Sequence, residues 1–158
     1  MIVVDTNVFV IDLRYRRDPL YRINRHFLDR LAEDGSGATT LFNLLELAGI
    51  LSFNLNEKQV LDLLSLFPSR YGIAILPPLD LESSLPRMPQ GAIARRIASR
   101  CAFGDALVLE AAERYAPKSS RFITWDADHF TTRSTMKVMT PKGALETWAR
   151  RSSKGVRP

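Results

Sequence analysis

The chain has 158 residues, of which 46% are hydrophobic and 25% charged, with a formal net charge of +5 and a pI near 9.7. That length suits one domain and the apolar share is enough for a core, which excludes a largely disordered chain. Its single cysteine, Cys101, excludes an internal disulfide framework, and no run reaches the roughly 20 apolar residues of a membrane span.

Residues 2–4 (Ile-Val-Val) are β-branched and read as a buried strand; Asp5-Thr6-Asn7 then offers caps for a following helix. The chain is apolar again over 8–13. Ile23, Phe27, Leu28 and Leu31 recur at helical spacing until Asp34-Gly35-Ser36-Gly37 stops them. A second strand is expected over 38–41, a helix over 43–51, and another helix carrying Val60, Leu63, Leu64 and Phe67. A third strand over 71–76 ends at Pro77-Pro78. Residues 77–90 also hold Pro86 and Pro89 and read as a surface connection with one helical turn at 81–85. Helices follow over 91–100 and 105–115, the latter stopped by Pro117. Strands over 121–125 and 136–139 and a helix over 144–150 complete a domain of residues 1–150. Residues 151–158 form a basic tail expected to fray. Strands alternating with helices imply an α/β fold with a mainly parallel sheet of about five strands, whose sites form beyond the carboxyl ends of the strands.

Acids fall where that rule points. Asp5 follows the first strand and Asp126 the fourth; Glu46 interrupts the apolar run Leu44-Leu45-Glu46-Leu47, and Asp105 opens a helix after Gly104. Each has a purely structural alternative: a helix cap for Asp5 or Asp105, a turn for Asp126, an arginine partner for Glu46. The joint reading is favoured because all four converge on one end of one sheet. Converging carboxylates repel one another unless a divalent cation neutralises them, and an all-oxygen set suits Mg²⁺ or Mn²⁺. Such sites hydrolyse phosphodiesters. His26 and His129 lie far apart in sequence, so zinc is not expected, and Cys101 reads as a small core filler.

The segments Ile2-Val3-Val4-Asp5-Thr6-Asn7-Val8-Phe9, Leu44-Leu45-Glu46-Leu47, Phe103-Gly104-Asp105-Ala106-Leu107 and Ile123-Thr124-Trp125-Asp126-Ala127-Asp128-His129-Phe130 resemble, in order and spacing, the four motifs of PIN-domain ribonucleases. The resemblance runs to about residue 145, and the chain length is similar to that of VapC-type toxins of toxin–antitoxin pairs. It implies a single three-layer α/β/α sandwich and endonucleolytic cleavage of RNA by a metal-activated water. It also implies one or two Mg²⁺ or Mn²⁺ ions held by Asp5, Glu46, Asp105 and Asp126. Thr6 and Thr124 become candidate water-positioning hydroxyls, Asn7 an orienter of Asp5, Asp128 an assistant or substitute for Asp126, and His129 a structural residue. A cognate antitoxin and a homodimer are further implications.

The basic excess fits a polyanionic partner. Arg14, Arg16, Arg17, Arg95, Arg96 and Arg100 are the candidate RNA contacts, positioning phosphates without reading sequence. Apolar residues at 8–13 and 47–53 serve either the core or a partner surface. The apolar run before Asp5 is too short for a signal peptide, so a cytoplasmic location away from membranes is expected. Two other readings remain: a silent RNA- or protein-binding module, and a phosphoacceptor signalling domain. The latter wants an acidic pair after the first strand and an aspartate ending the third, where this chain has Asp5-Thr6-Asn7 and Leu76-Pro77-Pro78.

Overall fold

Short β-branched and apolar runs form the strands β1 (Ile2–Val4), β2 (Gly37–Thr40), β3 (Ile73–Leu76), β4 (Arg121–Ile123) and β5 (Lys137–Met139). In the computed structural model, which describes residues 1–154 and side chains to Arg150, they make one sheet in the order β3-β2-β1-β4-β5. Every pairing is parallel. All five carboxyl ends therefore share one edge.

β1 is central because each of its residues is buried on whichever face it points to. The two-residue period of a strand sorts its side chains. Ile2 and Val4 join Ile73, Ile75 and Ile123 in a core with α1 (Thr6–Arg14), α2 (Tyr21–Asp34), α3 (Leu41–Ser52), α4 (Glu57–Tyr71) and α8 (Pro141–Lys154). Val3 and Phe122 face the other way. They meet α5 (Gln90–Ala98), α6 (Phe103–Tyr115) and Phe130 of α7 (Ala127–Thr131). The result is the expected three-layer sandwich. α3 touches α1 and α4 in one layer and α6 in the other, so it closes the carboxyl edge of the sheet.

Local signals set most boundaries. Thr40 and Asn43 form a reciprocal capping box at the start of α3, and Asn56 and Gln59 another at α4. α4 ends at Gly72, where φ is 61° and a Cβ would come within 3.3 Å of the Ala32 backbone. α5 ends in a Schellman turn: Arg100 N–H donates to the Ile97 carbonyl and Cys101 N–H to that of Arg96, with Arg100 at φ 62°.

Several boundaries differ from expectation. α4 runs through Pro68 to Tyr71, so Tyr71 ends a helix rather than starting a strand. Tertiary packing overrides the proline: the Tyr71 ring lies 5.0 Å from that of Phe9, Phe67 lies 4.8 Å from Phe9, and the Tyr71 hydroxyl donates to buried Asp12. Residues 81–85 form no helical turn; a tight turn closed by Ser83 N–H on the Asp80 carbonyl stands there. The five-residue α7 has no repeat long enough to announce it. α8 runs past residue 150 to Lys154, taking the first part of the expected basic tail into a helix; residues 155–158 lie outside the described residues. No helix among the described residues is long and apolar enough to cross a membrane.

Candidate active site

Asp5 continues the ladder beyond β1, its N–H donating to the Ile123 carbonyl at 2.9 Å. Its carboxylate is almost wholly buried and accepts three hydrogen bonds. Thr6 N–H (2.8 Å) and Asn43 Nδ2 (3.1 Å) donate to Oδ1, and the Thr124 hydroxyl (2.7 Å) donates to Oδ2. Asp5 thus does cap α1, and it also faces a cavity of about 440 Å³ at the carboxyl edge. Burial pushes its pKa up to about 7. The Thr124 and Thr6 hydrogen bonds oppose that rise, and the negative charges of Glu46 and Asp105 add to it.

Glu46, Asp105 and Asp126 line the same cavity. Glu46 is not buried with Leu44 and Leu47. α3 turns it outward, open to solvent, and its Oε2 accepts the Thr6 hydroxyl at 2.5 Å. Asp105 is no N-cap: Ala102 holds that position, and Asp105 sits in the first turn of α6, where the helix dipole favours its charge. Its Oδ2 lies 3.1 Å from His129 Nε2. Asp126 precedes α7 but makes no side-chain cap bond, which leaves its carboxylate to the cavity. Asp128 is exposed on α7 and does not line the cavity. Among the described residues, no Lys or Arg forms an ion pair with Asp5, Glu46 or Asp126.

Thr6, Asn7 and Thr124 tie these acids together. The Thr124 hydroxyl accepts from Asn7 Nδ2 (2.8 Å) and from Asp126 N–H (3.1 Å) while donating to Asp5. Asn7 Oδ1 accepts Trp125 N–H at 3.2 Å. Asn7 therefore acts on Asp5 through Thr124 rather than directly.

Three positions went unnoticed in the sequence. Asn43 donates to both Asp5 and the Thr6 hydroxyl while its Oδ1 accepts from Thr40 Oγ1 and N–H. The spacing Thr40-x-x-Asn43 is a capping-box signature that puts Asn43 one turn before Glu46, so it was available as a signal. Buried Asn24 accepts the Trp125 indole N–H at 2.8 Å and donates to the Val8 carbonyl, tying the loop after β4 to α1. Asp18, in the turn between α1 and α2, lines the cavity with no local pattern to mark it.

The arginines divide. Arg14, Arg16 and Arg17 are exposed and surround a depression that shares Tyr15 and Asp18 with the acidic cavity. Arg95 and Arg100 are exposed at the end of α5. Arg96 is engaged inside the fold: its guanidinium pairs with Glu110 (3.2 Å) and Glu113 (2.7 Å) and donates to the Arg133 carbonyl. Of the apolar stretches, Val8, Phe9, Ile11, Leu47 and Ala48 are core, whereas Phe53 is 89% exposed.

An all-parallel five-stranded sheet in this order between helical layers is the PIN-like fold. The chain superposes on a chain of VapBC2 from Rickettsia felis, solved bound to a promoter DNA fragment, with a TM-score of 0.58 at 18% identity over 89% of this chain and 98% of that one. FitAcB from Neisseria gonorrhoeae gives a TM-score of 0.58 at 19% identity over 90% and 99%. VapBC-1 from nontypeable Haemophilus influenzae gives 0.58 at 12% over 90% and 99%. No protein-family model matches the sequence, and no curated protein matches it.

Proposed function

We propose that this chain is a metal-dependent endoribonuclease acting in the cytoplasm as the toxin of a toxin–antitoxin pair. The observation that carries the reading is the meeting of Asp5, Glu46, Asp105 and Asp126 around one cavity, where among the described residues only Asp105 has an ion-pair partner, His129. Burial is what chiefly raises the Asp5 pKa, and repulsion from Glu46 and Asp105 adds to it; both are relieved by a divalent cation. The donors facing the cavity are carboxylate oxygens, which suits Mg²⁺ or Mn²⁺. Bound there, such an ion supplies a water of lowered pKa and offsets charge on phosphoryl oxygens.

The residues divide the work. Asp5 is held rigidly by its three donors and fixes the floor of the site. The Thr6 hydroxyl aims Glu46, and Thr124 couples the position of Asp5 to the backbone of Asp126. The fourth acid is Asp126 rather than Asp128. Exposed Arg14, Arg16 and Arg17, with Arg95 and Arg100, are the proposed phosphate contacts, and Tyr15 at the cavity rim offers a ring to an unpaired base. The likeness in fold to the VapBC2 and FitAcB assemblies supports a cognate antitoxin, and a homodimer is part of the same proposal.

The test is calorimetric titration of the folded protein with Mn²⁺. Wild type is expected to bind, and Asp5→Asn/Asp105→Asn to bind at least about tenfold more weakly. Equal affinity in the two proteins contradicts the site.

A further inference from the structure

The fold brings Cys101 to His129, one of the two histidines whose separation in sequence spoke against zinc. Cys101 Sγ, an Asp105 carboxylate oxygen and a His129 ring nitrogen all lie within 4.8 Å of one another. They come from three places: the turn closing α5, the first turn of α6, and α7. The Schellman turn fixes the first of these. Arg100 takes the left-handed conformation, which a non-glycine residue rarely adopts, and the next residue, Cys101, enters the core with 4% exposure.

We propose that Cys101, Asp105 and His129 form a second metal site, selective for a thiolate- and imidazole-seeking divalent cation such as Zn²⁺ and distinct in chemistry from the all-carboxylate cavity. Sulfur, nitrogen and oxygen donors are those zinc takes, and three protein ligands with an open fourth position are a familiar zinc arrangement. Tetrahedral bonds of zinc length put ligand atoms roughly 3.3–3.8 Å apart, so the cluster closes by about an ångström around the ion. The required movement is available. Cys101 is fixed, but the side chains of Asp105 and His129 are 33% and 29% exposed and open the fourth position to water. With thiolate, carboxylate and neutral imidazole the occupied site carries no net charge, which suits its half-buried place. The ion would take the place of the present contact between His129 Nε2 and Asp105 Oδ2.

Asp105 belongs to both sites. Given the function proposed above, an ion held with Cys101 and His129 draws Asp105 away from the acidic cavity and opposes Mg²⁺ or Mn²⁺ there. The second site itself does not depend on that function, and its test reads sulfur ligation rather than RNA cleavage.

The experiment is titration of the reduced full chain with Co²⁺, a spectroscopic stand-in for Zn²⁺. The expected result is a thiolate-to-Co²⁺ charge-transfer band in the near ultraviolet, saturating at one ion per chain and abolished by Zn²⁺. Since Cys101 is the sole cysteine, the band reports it alone. His129→Gln should weaken Co²⁺ binding tenfold or more. Glu46→Gln, in the acidic cavity only, should leave the band in place. Absence of the band, an unchanged midpoint in His129→Gln, or saturation at one ion per two chains, the mark of a thiolate bridging two molecules, overturns the proposal.

Discussion

Replacing Asp5 by Asn should stabilise the metal-free protein at alkaline pH while abolishing its activity. Asp5 goes from an ordinary pKa of 3.8 to about 7 in the folded chain. A carboxyl whose folded pKa is raised contributes stability that is fully present below about pH 4 and lost as pH rises through 7, because the folded state holds a proton that the unfolded state has released. At about 1.36 kcal/mol per unit, the penalty carried by ionised Asp5 at pH 8 is on the order of 4 kcal/mol. Asn removes the charge but keeps an acceptor for Thr6 N–H and Asn43. Its amide then faces Thr124 Oγ1, which already accepts from Asn7 and Asp126, so part of the gain is lost. A net stabilisation of about 1–3 kcal/mol is expected from the balance of these effects. Urea unfolding in EDTA at pH 5 and pH 8 reads it: wild type should lose stability between the two, and Asp5→Asn should change much less. A variant less stable than wild type at pH 8 in EDTA would refute the reasoning, since Asp5 would then be stabilising as an ordinary cap.

Thr124→Val keeps the shape of a fully buried residue and removes the link between Asp5, Asn7 and Asp126; a loss of about 1.5–3 kcal/mol is expected by thermal unfolding. Arg96→Ala leaves Glu110 and Glu113, each 16% exposed, without their partner, and should cost about 3–5 kcal/mol in denaturant while the salt dependence of RNA binding stays the same. Replacing Arg14, Arg16 and Arg17 together by Gln should cost no more than about 1 kcal/mol, from the exposed Arg14 hydrogen bond to the Ile50 carbonyl, and flatten the salt dependence of RNA binding, by roughly 0.7 in the log–log slope for each phosphate that is no longer neutralised. Filter binding across a salt series separates these two outcomes.

The sheet and the acids were legible because they follow short-range rules. Ile2-Val3-Val4 reads as a buried strand, and a carboxylate placed directly after such a strand in a parallel sheet reaches its carboxyl edge. Asp5 follows from that alone; Thr124 and Trp125 separate Asp126 from the end of β4, and the order of all four acids carried the resemblance. What escaped the sequence is what depends on three-dimensional neighbours. Leu44, Leu45 and Leu47 do not say how Glu46 reaches the other acids; the rotation of α3 that buries Leu44 and Leu47 turns it to the cavity. Pro68 reads as a stop, yet Phe67 and Tyr71 gain more from packing on Phe9 than the helix loses. Arg96 and Arg95 are adjacent and indistinguishable in composition, and only the position of Glu110 and Glu113 on α6 decides that one is internal and the other exposed. The meeting of Cys101 with His129 likewise depends on the Schellman turn and on α7, too short to show a period.

The central claim is a metal-dependent cut in RNA made through Asp5. Purified protein should be incubated with a mixed pool of cellular RNA in Mn²⁺, in Mg²⁺ and in EDTA, beside folded Asp5→Asn. Discrete cleavage products in the presence of the metal, absent with EDTA and absent with Asp5→Asn, are the predicted result. Cleavage that persists in EDTA, or that Asp5→Asn performs as well as wild type, would contradict it.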